Sequence, residues 1–97
     1  MNAIDNKQLA SSTDNNPCLD VSQLEAPEPM TAILEAIEKL PPGNFLYVYH
    51  RREPFPLYTL LQEMNMKWLT RGDDSGMFHI HIWPAGDSVA EEKAQAH

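Results

Sequence analysis

Met30, Ile33, Leu34, Ile37 and Leu40 recur at three- and four-residue intervals, which places them on one face and predicts an amphipathic helix over residues 29–40. Leu57, Leu60, Leu61 and Met64 form a second such face, with Pro54 and Pro56 at its start, where a missing N–H costs nothing. Around these helices the period changes to two. CLDV (18–21), FLYVY (45–49), KWLT (67–70) and MFHIHIW (77–83) read as strands by their aliphatic and aromatic content. Pro41, Pro42 and Gly43 stop the first helix, and the turn-rich RGDDSG between the last two strands predicts an antiparallel hairpin. The predicted order is β-α-β-α-β-β.

Strand-helix-strand crossovers are right-handed, so both helices fall on one face of a single mixed four-stranded sheet. The expected class is α+β, a two-layer sandwich. Within the strands, Leu46, Val48, Phe78, Ile80 and Ile82 alternate with Tyr47, Tyr49, His79, His81 and Trp83. The first set suits the helix-covered face, which leaves the second on an open face. Residues 17–84 form the domain. Residues 1–16 are too polar to offset ordering entropy and read as a flexible lead. Residues 85–97 place Glu91, Glu92 and Lys93 among alanines and read as a flexible tail, at most a frayed helix with no apolar stripe to dock.

Composition narrows the function. The 97 residues are 42% hydrophobic with a formal charge of −7, which fits one soluble domain and disfavours a nucleic-acid backbone as partner. No secretory signal or membrane span is recognisable, so a cytoplasmic location is expected. The lone Cys18 forms no internal disulfide and leaves no CxxC motif. No Ser-His-Asp, paired-carboxylate, P-loop or GxGxxG arrangement is present, so the chain is not expected to be an enzyme by itself, and no cofactor is implied.

LDVSQLEAPEPM (19–30) resembles the start of the small sulfur-carrier proteins of the TusA and SirA type, in which a Gly-Leu turn leads from a strand into Cys-Pro-x-Pro at the first helix. The likeness runs through PPG (41–43) to the closing hairpin, over about residues 18–83, and implies the same two-layer fold. Two positions depart from it. The family's persulfide-carrying cysteine maps onto Ala26, whose methyl cannot hold sulfur, and the glycine of the turn maps onto Gln23. HRREPFPLY (50–58) resembles a cysteine-less branch of the family, a domain of unknown function in which His-x-Arg-x-Pro-x-Pro opens the second helix.

The principal candidate site is the edge where both helices begin, the usual ligand edge of an open α/β sheet. Ala26 to Met30, with Pro27, Glu28 and Pro29, lies there together with His50, Arg51 and Arg52, whose arginines are the side-by-side basic pair of an acidic chain. A helix N-terminus favours an anion, although Pro27 and Pro29 donate no N–H and Glu28 repels one. Glu28 is alternatively expected to pair with Arg51 or Arg52. The leading expectation is a non-catalytic binding module that takes a protein partner or a small anion at this edge, with His50 able to act as donor or acceptor.

Two alternatives use other residues. A sulfur- or redox-linked carrier would need Cys18, which begins the first strand roughly 13 Å from the end that carries Ala26; it is expected to be a buried or half-buried apolar residue. A metal-handling protein would use His79 and His81, two apart on a strand, with His50 or Glu28 as candidate third ligands. The aromatics of the open face also suit self-association, and less well a single-stranded nucleic acid, for which flanking basic residues are lacking.

Overall fold

The computed structural model describes residues 16–96. The proposed flexible lead, Asn16 apart, lies outside the described residues. Along the chain run β1 (Cys18–Asp20), α1 (Glu28–Glu38), β2 (Leu46–His50), α2 (Phe55–Glu63), β3 (Met66–Gly72), β4 (Phe78–Pro84) and α3 (Ser88–Ala96). The sheet order is β1-β2-β4-β3. β1 runs parallel to β2, and β4 lies antiparallel to both β2 and β3, so the sheet is mixed and the expected hairpin is present.

The main core follows from the two periodicities. Ile33 and Ile37 of α1 and Leu57 and Leu61 of α2 meet Leu46, Val48, Ile80 and Ile82 of the sheet, and all eight are buried. At about 0.8 kcal/mol per buried methylene, this apolar layer is the main favourable contribution to folding. The helices thus cover the face that the strand alternation assigned to them.

The opposite face is not fully open. The third helix lies across one end of it, and Ala90 and Ala94, four residues apart, are buried against Phe45 and Trp83. This corrects the expectation of an undocked tail. Alanine methyls were too small to register as an apolar stripe, yet their size lets a helix come close to two large rings, and the aromatics supply the area. Asp87 fastens the helix start: its carboxylate accepts the Ala90 N–H (3.1 Å) as a cap, and the N–H of Gly43 (2.8 Å). Gly43 has φ +78°, a conformation that favours glycine, so the PPG loop both ends α1 and anchors α3.

Candidate functional site

β2 carries the site's deepest polar group. The strand extends one residue beyond the expected FLYVY, so His50 is its last residue and shares the parity of Leu46 and Val48. It therefore points to the helix-covered side and is only 8% exposed. Its ring lines a cleft of about 560 Å3 between the starts of α1 and α2, together with Leu24, Ala26, Met30, Ile33, Arg52 and Leu57. Pro27, Pro29, Pro54 and Pro56 add further apolar wall. Ala26 thus contributes a methyl to the cleft where the resemblance would place a reactive thiol.

The tautomer of His50 follows from its one partner. The backbone N–H of Arg52 donates to Nδ1 (3.1 Å), so Nδ1 holds a lone pair and the neutral ring carries its proton on Nε2. Among the described residues that Nε2–H has no acceptor. Burial lowers the pKa of His50 below its ordinary 6.5, and the positive charges of Arg51 and Arg52 lower it further. The ring is therefore a neutral donor at pH 7 rather than a switch at that pH. An NMR titration of the His50 imidazole should give a midpoint below 6.5; a midpoint at or above that value would refute burial as the dominant influence. The sign for stability follows. As pH falls below 6.5 the unfolded chain takes up the proton first, so this residue makes folding less favourable down to its folded pKa.

The two arginines differ. Arg51 is committed: its guanidinium pairs with Glu25 (3.0 Å) and reaches the carbonyl of Leu24 (3.5 Å). This corrects the expected partner, since Glu25 in the turn after β1, rather than Glu28, spans the edge. Glu28 lies in the first turn of α1, exposed and outside the cleft lining. Arg52 is exposed, and among the described residues no carboxylate lies within ion-pair distance of it. Glu53, beside it, accepts a hydrogen bond from the Tyr58 hydroxyl (3.2 Å).

Helix backbone adds little to this site. At the start of α2, the Phe55 N–H donates to the Glu53 carbonyl, Pro56 has none, and the Leu57 N–H donates to Pro54. At α1, the Glu28 N–H donates to Glu25 and Pro29 has none. Of the first-turn backbone donors, Pro29 and Pro56 have none and those of Glu28, Phe55 and Leu57 are used, so charge recognition falls chiefly to Arg52 and the Nε2–H of His50.

The remaining sequence candidates lie elsewhere. Tyr47 donates its O–H to Nδ1 of His79 (2.7 Å), and Nε2–H of His79 donates to Asp73 (2.8 Å), so both ring nitrogens are engaged. This hydrogen bond from His79 is the chief reason the Asp73 carboxyl titrates below its ordinary 3.8. His81 is buried under α3, and its Nδ1–H donates to the carbonyl of Ala94 (2.9 Å). The two histidines therefore do not converge on one point, and among the described residues no group of three or more His, Cys, Asp or Glu side chains is arranged to hold a metal. Trp83 is buried beneath the same helix, which takes it out of any stacking or self-association surface on that face. Cys18 is exposed, contrary to expectation, because its parity in β1 pairs it with Tyr47 on the face away from α1 and α2.

With this geometry in place, comparison with known proteins assigns the fold. The family model of an uncharacterized conserved protein, DUF2249, matches residues 18–84. The chain belongs to that family. No curated protein matches significantly. The crystal structure of a SirA-like protein from Desulfitobacterium hafniense is similar in fold, with a TM-score of 0.62 at 15% identity, covering 70% of this chain and 96% of that one. The DUF2249 domain thus has a SirA-like fold, and its matched region ends at Pro84, the last residue of β4, so α3 lies beyond it. No described helix is long and apolar enough to cross a membrane.

Proposed function

We propose that this DUF2249 protein is a non-catalytic binding module that recognises an anionic group at the cleft where α1 and α2 begin. One observation carries the reading: an apolar cleft holds a buried histidine whose Nε2–H is unpartnered among the described residues, beside an arginine with no carboxylate partner there. A donor at the cleft wall can exchange solvent for an incoming acceptor, and a hydrogen bond to a charged group contributes about 1.5–3 kcal/mol. Ala26 is consistent with binding without sulfur relay at this position.

Acetate serves as the simplest probe. In 15N- and 13C-labelled protein, the His50 imidazole and Arg52 guanidinium signals should shift saturably as acetate is added. Arg52→Ala should keep the fold, since the side chain is exposed, and weaken acetate binding about tenfold, as expected for loss of a charge-assisted hydrogen bond. Equal affinity in wild type and variant would overturn the reading.

The exposure of Cys18 favours a second reading, a sulfur- or redox-linked carrier that uses this thiol on the other face. Rapid alkylation is expected from exposure alone, so the deciding measurement is persulfide transfer from a donor, read by mass spectrometry. A thiol that alkylates but takes up no sulfur would end this reading.

A further inference from the structure

Building on the anion-recognition reading, we propose that the cleft takes a small monocarboxylic acid with an apolar body. Its carboxylate would sit on Arg52 and the Nε2–H of His50, and its hydrocarbon against Leu24, Met30, Ile33 and Leu57.

Four features select this chemistry. The volume, about 560 Å3, is that of a small-molecule site, which typically spans roughly 300–1,000 Å3. The walls are apolar, so a bare inorganic anion would leave them wet, whereas a hydrocarbon chain would gain from covering them. The charge available amounts to one guanidinium and one neutral donor, because Arg51 is neutralised by Glu25. A planar guanidinium matches a single carboxylate in fork geometry. A polyanion would meet Glu25 and Glu53 on the same rim and a chain of net charge −7.

The fourth feature separates a free acid from the end of a peptide. Peptides held at an edge are bound largely through main-chain hydrogen bonds. The four prolines of the lining donate none, and the N–H groups of Glu28, Phe55 and Leu57 are already used. A short acid needs only the two side-chain donors.

The test is an NMR titration of the full chain with acetate, butyrate, hexanoate, 1-hexanol, inorganic phosphate and an N-acetylated tripeptide ending in leucine. Readouts are the His50 ring signals and the methyl signals of Ile33 and Leu57. Affinity should rise about fourfold per methylene from acetate to hexanoate while the chain remains inside the cleft, with methyl shifts growing in step. Hexanol and phosphate should each bind at least tenfold more weakly than hexanoate, and Arg52→Ala should reduce hexanoate to the level of hexanol. If acetate and hexanoate bind equally, with shifts confined to His50 and Arg52, this proposal falls while anion recognition stands. If no anion moves these signals, both fall. A tripeptide that binds more tightly than hexanoate would overturn the free acid in favour of a chain end.

Discussion

Replacing Leu57 with alanine is expected to destabilise the protein by about 2–5 kcal/mol. Leu57 is completely buried on α2, among Ile33, Val48, Leu61 and Ile80, and its truncation removes apolar contacts from both neighbouring layers at once. The surrounding side chains belong to rigid strands and a short helix, so the hole closes only partly. Domains of this size have a total stability of about 5–15 kcal/mol, and each kcal/mol moves the melting temperature by roughly 4–8 °C. A fall of at least about 8 °C should therefore be seen by calorimetry. Phe55→Ala is the control on the same helix. Phe55 is 65% exposed and touches Tyr58 only edge-on, so its loss should cost under about 1 kcal/mol. If the two variants melt within a few degrees of each other, α2 is not packed as described.

Ala94→Asp is expected to release α3 rather than unfold the domain. The Ala94 side chain is fully buried in the cluster with Phe45 and Trp83, while its carbonyl accepts the Nδ1–H of His81. A carboxylate in that contact would lose its hydration against Phe45 and Trp83, at a cost of several kcal/mol. Undocking the helix is the cheaper response, so the loss is limited to what docking contributes, about 1–3 kcal/mol. Trp83 emission should then shift to the red and the His81 ring should become accessible to solvent, while the core around Ile33, Leu57 and Ile80 keeps its methyl shifts. Glu92→Ala, at an exposed position of the same helix, should change neither signal. Unaltered Trp83 emission in Ala94→Asp would mean that α3 does not rest on the tryptophan.

The elements most visible in the sequence were those whose burial repeats. Ile33 and Ile37 on a helix, and Ile80 and Ile82 on a strand, announce their element and their inward face by spacing alone, because an entire side of the element is removed from water. Ala90 and Ala94 have the spacing of a helix face but little area, and their burial depends on Trp83, 7 and 11 residues before them, and on Phe45, 45 and 49 residues before them. His50 was legible as a member of the site, but not as a buried one: a single added residue of β2 sets its parity and turns it from loop to core face. Cys18 shows the same sensitivity in reverse, since parity in β1 places it outward.

By itself, then, the sequence determined the element order from β1 to β4, the face that β2 and β4 turn to α1 and α2, and the edge that gathers Pro27, Pro29, His50, Arg51 and Arg52, because these follow from local periodicity and the handedness of crossovers. Only the tertiary structure decided that Glu25 takes Arg51 and leaves Arg52 without a carboxylate partner among the described residues. It also decided that the N–H groups of Glu28, Phe55 and Leu57 are used within the chain, that His50 presents a proton on Nε2, and that α3 closes one end of the second face. The Glu25–Arg51 pair and the docking of α3 are choices of partner between residues distant in the chain, while the others are short-range hydrogen bonds set by turn geometry, which periodicity does not report. Hydrogen bonds and ion pairs act over about 3–4 Å, so which of several suitable groups is satisfied, and which is left for a ligand, is settled only when packing brings one of them within reach.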